Sequence, residues 1–170
     1  MKAEEKKFLH FLWWTDKNFI IPVYQRNYDW KREQCKQLFD DLIEIKNSWF
    51  RTHFLWTIVA YNDDWYWEQF LIIDWQQRLT TVSILLLSIY KLLESWKITS
   101  EYVNKDKIYK TYLINEFSND QKKIRLKPIK DDREAFESIF EWDIKENSNI
   151  TINFDYFTER LLNWEISIDD

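Results

Sequence analysis

Two polar clusters in this chain have residue types and spacing that could do chemistry. The first, Asp74-Trp75-Gln76-Gln77-Arg78, follows the apolar run Phe70-Leu71-Ile72-Ile73 and leads into Leu79-Thr80-Thr81. A strand turning sharply into a helix puts Asp74 at the strand's carboxyl end and Gln76, Gln77 and Arg78 on the first helical turn. Backbone N–H groups there have no partner within the helix and carry partial positive charge, so they suit an anion. Arg78 adds a cationic fork for phosphate oxygens. Asp74 could orient a water or help hold a divalent ion, and Gln76 or Gln77 could position an attacking water, as glutamines do in some nucleotide hydrolases. The competing reading is plain capping: Asp and Gln before a helix are ordinary caps, and a first-turn arginine is often a surface ion pair.

The second cluster is Tyr24-Gln25-Arg26-Asn27-Tyr28-Asp29-Trp30, after Ile20-Ile21-Pro22-Val23. It follows a strand without any apolar period. An aromatic pair flanking Gln-Arg can stack on a base or sugar while the arginine meets phosphate. The competing reading is a surface loop anchored by Trp30.

The elements that must position these clusters are legible from periodicity. Residues 4–12 predict a short helix and 18–23 a strand that ends at or lies on an edge, because Pro22 cannot donate to a ladder. Residues 31–46 predict an amphipathic helix carrying Cys35, Leu38, Phe39, Leu42, Ile43 and Ile45 on its apolar side, with Asp29 as N-cap. Strands at 53–61 and 69–73 form a hairpin around the loop at 62–67. A long buried helix spans 76–94, and the pattern turns helical again to about residue 116. A strand at 123–126 and helices at 131–140 and 154–162 complete the chain. The fold class is α/β (α+β), with a seam near Trp96: a unit over 1–96, then a mainly helical annex of the same domain over 97–170.

Composition narrows the function classes. The net charge is −5 over 170 residues, which argues against a domain-wide polyanion surface. The basic run Lys122-Lys123-Ile124-Arg125-Leu126-Lys127 reads first as a strand with a solvated basic edge and second as a phosphate contact. A single cysteine excludes an internal disulfide framework and fits a reducing cytoplasm. Cys35 sits on an apolar helix face and reads as core. His10 and His53 are too isolated for a metal cluster, so no metal-binding residue is assigned. The apolar runs are too short to span a bilayer, and no secretory leader is legible. No Walker or dinucleotide glycine pattern is present, even if every tryptophan is read as glycine.

The chain has no glycine and 11 tryptophans. Average usage would give roughly 12 glycines. Trp13-Trp14 lies between two elements, Trp65 and Trp67 fall in the hairpin loop, and Trp49, Trp96, Trp142 and Trp164 adjoin helix ends. Such slots favour a residue without Cβ, because only it takes positive φ cheaply. The expectation is that ten of the 11 tryptophans, all but Trp30, stand in glycine slots. At position 75 a residue without a side chain would let a phosphate approach the backbone, whereas an indole would block it.

With both clusters in view, the chain resembles the N-terminal domain of GmrSD-type, type IV restriction endonucleases. The resemblance rests on Ile21-Pro22-Val23-Tyr24-Gln25-Arg26-Asn27-Tyr28-Asp29-Trp30, Phe54-Leu55-Trp56-Thr57-Ile58-Val59 and Ile72-Ile73-Asp74-Trp75-Gln76-Gln77-Arg78-Leu79-Thr80-Thr81. Arg125-Leu126-Lys127-Pro128 and Asp132-Arg133-Glu134 are similar in order but weaker. Tryptophan at 56 and 75 departs from the family's glycines. The resemblance implies a ParB/sulfiredoxin-like fold, a small mixed sheet with flanking helices, in which the two clusters face each other across a nucleotide pocket.

The resemblance also implies nucleoside-triphosphate hydrolysis, with Mg2+, coupled to recognition of modified or foreign DNA. Cleavage would belong to a C-terminal HNH-type nuclease domain or subunit beyond this chain. The site expected from both lines has Asp74, Gln76, Gln77 and Arg78 in catalysis and Tyr24, Gln25, Arg26, Tyr28, Trp75, Thr80 and Thr81 on the nucleotide. The alternatives are a non-catalytic DNA- or partner-binding sensor module and a ParB-like nuclease.

Overall fold

The computed structural model describes residues 16–47, 59–62, 69–144 and 147–163. The helix expected at 4–12, most of the strand expected at 53–61, the hairpin loop, Trp13, Trp14, Trp49, Trp56, Trp65, Trp67, Trp164, His10 and His53 lie outside them.

The fold is α+β: a four-stranded mixed sheet with five helices among the described residues. The strands are β1 (Asn18–Ile20), β2 (Ala60–Asn62), β3 (Gln69–Ile72) and β4 (Leu126–Lys127), in the order β2-β3-β1-β4. β1 runs parallel to both β3 and β4, with Ile20 opposite Leu71 and Lys127, while β2 pairs antiparallel with β3. Pro22 thus marks a strand end but not a sheet edge, because the chain has left β1 before it. Parallel strands send their carboxyl ends to the same side of a sheet, which is where ligands bind in open α/β sheets. The segments after β1, β3 and β4 therefore emerge together.

The helices are α1 (Arg32–Asn47), α2 (Gln76–Glu94), α3 (Lys105–Ile108, continuing as a π-helical turn over Tyr109–Leu113), α4 (Lys130–Glu141) and α5 (Asn149–Leu162). Asp29 is not the α1 N-cap. The helix starts later, with Cys35 N–H bonded to Lys31 O and Gln34 Oε1 accepting the Lys31 N–H at 2.9 Å, one half of a capping box. α2, about 28 Å long, buries Leu79, Ile84, Leu87 and Leu92 and packs chiefly on α5, which carries Ile150, Phe154 and Phe157. Truncating one such leucine to alanine costs roughly 2–5 kcal/mol. α5 begins five residues before the expected 154, at a Ser148–Thr151 capping box. β4 and α5 put residues beyond 96 into the same sheet and core as those before it.

The backbone supports the steric reading of the tryptophans. Of the four described, Trp75, Trp96 and Trp142 have φ of 83°, 58° and 57°, and Trp30 alone is absent from the positive-φ residues. Trp96 and Trp142 close α2 and α4 with the same pair of bonds. Trp96 N–H reaches Leu93 O and Lys97 N–H reaches Leu92 O; Trp142 N–H reaches Ile139 O and Asp143 N–H reaches Ser138 O. This is the Schellman motif, whose left-handed residue is most often glycine.

Candidate functional site

The site forms where the segments after β1, β3 and β4 meet the head of α2. Trp75 is the α2 N-cap in left-handed conformation, with no side-chain cap. Asp74 instead accepts the adjacent Trp75 N–H at 2.7 Å and is exposed. The loop after β1 turns at Pro22, whose carbonyl accepts the Gln25 N–H at 3.0 Å, and the Gln25 side chain donates to Ile73 O at 2.8 Å. That bond ties the loop's tip to the end of β3.

The two helix-head glutamines tie the loop further in. Gln76 Nε2 donates to Arg26 O at 3.2 Å and Gln77 Nε2 to Asn27 O at 3.0 Å. Gln77 Oε1 accepts the N–H groups of Asp29 at 2.8 Å and Trp30 at 3.3 Å. The structure therefore joins the two sequence clusters through three glutamine side chains. The Arg26 backbone lies against the first turn of the helix that carries Arg78.

Side chains in the second half of the chain, which sequence reasoning left out, hold the same loop. Asp132, in the first turn of α4, accepts the Tyr28 N–H at 2.7 Å, and Asp131 accepts from Asn27 at 3.4 Å. On α5, Asn149 donates to Tyr28 O at 3.4 Å and Asn153 to Trp30 O at 2.7 Å and to the Tyr28 hydroxyl at 3.0 Å. The signal was present: Asn149 and Asn153 stand four apart, on one helix face, among apolar neighbours. Placing the helix start at 154 hid it.

These partners sort the expected site residues by position. Tyr24 is 70% exposed, and Arg26 and Asp74 are exposed; Gln25 and Arg78 are half-buried. Tyr28, Trp75, Gln76, Gln77, Thr80 and Thr81 are buried. The Tyr28 hydroxyl lies 2.7 Å from Thr81 Oγ1 and 3.7 Å from Cys35 Sγ, and Thr81 also donates to Gln77 O at 2.8 Å. Burial, with Cys35 beside it, pushes the Tyr28 hydroxyl well above the usual tyrosine range, and burial raises the Cys35 thiol to about 11. Both stay protonated at neutral pH, so Cys35 is an inert core residue, as its apolar face suggested. Burial also raises the Asp132 carboxyl, helped by Asp131 and opposed by the Tyr28 N–H.

The basic run at 122–127 is engaged internally. Lys122 pairs with Glu137 at 2.9 Å and Glu141 at 2.7 Å, Lys123 donates to Glu116 O at 2.9 Å, and Lys127 pairs with Asp120. Arg125 is fully buried, donating to Lys17 O at 2.9 Å and to Thr111 O, with Phe19 beneath it at 5.1 Å. The expected solvated basic edge is thus a set of intramolecular contacts. Among the described residues no three His, Cys, Asp or Glu gather to hold a metal, and no helix is long and apolar enough to cross a membrane.

The family model for the GmrSD restriction endonuclease, N-terminal domain, matches residues 12–166. The chain belongs to this family. No curated protein matches it. The GmrSD match runs through both clusters, the junction at 96 and the α4 and α5 residues that hold the loop, and it ties the domain to a restriction system.

Proposed function

We propose that this GmrSD domain binds a nucleoside triphosphate at the head of α2 and hydrolyses it to control DNA cleavage by the restriction enzyme. The observation that carries the reading is the junction of the two clusters: Gln25 on Ile73 O, Gln76 on Arg26 O and Gln77 on Asn27 O. It supports a phosphate-suited corner at which a helix N-terminus and two arginine-bearing segments meet. In this reading Arg26 and Arg78 meet phosphate oxygens and the exposed Tyr24 ring stacks on base or sugar, near Gln25. Tyr28, Gln77, Thr80 and Thr81 frame the corner from within.

Asp74 fits a divalent ion carried by the triphosphate, since Mg2+ commonly takes one or two carboxylates plus phosphate oxygens and waters. One Asp74 oxygen is committed to the Trp75 N–H, and the residue is exposed. Hydrolysis is an attack of water oxygen on the γ-phosphorus. The bond from that phosphorus to the β,γ-bridging oxygen breaks, the diphosphate leaves with the bond pair, and the water gives up a proton to solvent. Recognition of modified or foreign DNA is assigned to the full-length enzyme, and cutting to an HNH-type nuclease domain or subunit in the cytoplasm.

A second reading, a sensor that binds without turnover, is favoured by one feature: the Trp75 indole is buried at the helix head, 7% exposed. Phosphate release from each nucleoside triphosphate with Mg2+ separates the two. Turnover lost in Asp74→Ala supports hydrolysis, and saturable binding without turnover supports the sensor. Neither binding nor turnover removes both.

A further inference from the structure

Two adjacent glutamines stand at the head of α2, each 7% exposed, and the fold treats them differently. The Gln77 amide is spent. Its Oε1 accepts from Asp29 N–H and Trp30 N–H, which takes both lone pairs, and its Nε2 donates to Asn27 O. Turning it toward a ligand would take the acceptor away from two main-chain donors, those of Asp29 and Trp30.

Gln76 has one commitment, Nε2 to Arg26 O. That contact also fixes the amide's orientation, because the flipped form would set oxygen against oxygen. Its Oε1 is buried and has no hydrogen-bond partner among the described residues. A buried acceptor in this state is costly and calls for an explanation, of which a role toward a ligand or water is one.

We infer that Gln76 is the glutamine that meets the ligand and accepts a hydrogen bond from the attacking water, while Gln77 is a positioning residue for the arginine-bearing loop. The inference rests on the hydrolysis reading above. An amide oxygen repels unprotonated phosphate oxygens and needs a donor, which water supplies. The neighbouring first-turn N–H groups have the opposite polarity and take the phosphate. Acceptor and donors on one helical turn thus distinguish the nucleophile from the group it attacks.

The test compares Gln76→Met with Gln77→Met, substitutions of similar volume, by thermal unfolding and by phosphate release from nucleoside triphosphate with Mg2+. Gln76→Met removes an unpartnered acceptor and one long hydrogen bond, to the carbonyl of the exposed Arg26, so its Tm stays within about 2 °C of the parent protein. Gln77→Met orphans two N–H groups and a carbonyl, and its Tm falls by about 5 °C or more. Phosphate release falls about 100-fold or more in Gln76→Met, with nucleotide Kd changed by less than about 3-fold. Equal thermal losses in the two variants, or parental turnover in Gln76→Met, overturn the assignment. If the parent protein turns over no nucleotide, the hydrolysis reading fails, and the thermal comparison alone decides which glutamine the fold leaves available to a ligand.

Discussion

Trp96→Gly isolates the backbone cost of a tryptophan in a left-handed position. Trp96 sits just past the end of α2 at φ 58° and is 78% exposed, so little apolar burial is lost with its side chain. Its one described ring contact is Lys105 Nζ at 5.8 Å from the centroid, worth about 0.5–1 kcal/mol at an exposed site. A side chain with Cβ in the left-handed region costs about 1–2 kcal/mol. Glycine's freer unfolded chain takes back about 0.4–1 kcal/mol. The terms nearly cancel against the parent, so Tm stays within about 2 °C by calorimetry, while Trp96→Gly exceeds Trp96→Ala by about 0.8 kcal/mol, because the ring contact is lost in both. Trp96→Ala is the control: it loses the same ring contact but keeps Cβ and gains nothing. A Tm for Trp96→Gly at or below that of Trp96→Ala would refute the claim that this Schellman position is a glycine slot.

At Trp75 the same replacement is destabilising. Relief of the 83° φ is worth about 1–2 kcal/mol, but removing a buried indole costs roughly 3–5 kcal/mol, so burial wins and Tm falls by several degrees. Nucleotide affinity should rise in Trp75→Gly, because the side chain leaves the head of α2; unchanged or weaker binding in a titration argues against a phosphate there. Asp132→Asn reads the loop clamp through pH. Burial raises the Asp132 pKa in the folded state, so its contribution favours folding below the ordinary carboxylate value and is lost as pH rises through the raised one. The Tm of Asp132→Asn relative to the parent should therefore increase across that interval, and a decrease would contradict the sign.

The strand–turn–helix around Asp74 was more legible in the sequence than the frame around it. The strand at 69–73 running into the helix at 76–94 was readable because Phe70 to Ile73 and then Leu79 to Leu93 keep unmistakable apolar patterns on either side of the polar turn. That the loop after β1 lies beside this turn could not be read from either segment. It follows from β1 and β3 being parallel neighbours, a pairing set by tertiary packing. The same pairing brings in β4, only two residues long, and with it the α4 head and Asp132. Exposure was also hidden. Tyr24 and Tyr28 look equivalent in sequence, yet one is 70% exposed and the other 6%, because Asn153, Thr81 and Asp132 reach the second and no described hydrogen bond holds the first. Glycine slots were legible from the helix ends at Trp96 and Trp142, since a left-handed closure leaves its mark on where the apolar period stops.

Equilibrium titration of a labelled nucleoside triphosphate into the parent protein, Arg26→Ala and Arg78→Ala tests the central claim most directly. The account predicts saturable binding that weakens by about 10- to 100-fold in each variant, the loss expected of one charge-assisted arginine–phosphate contact. No saturable binding at millimolar nucleotide, or variants that bind as tightly as the parent, would contradict it.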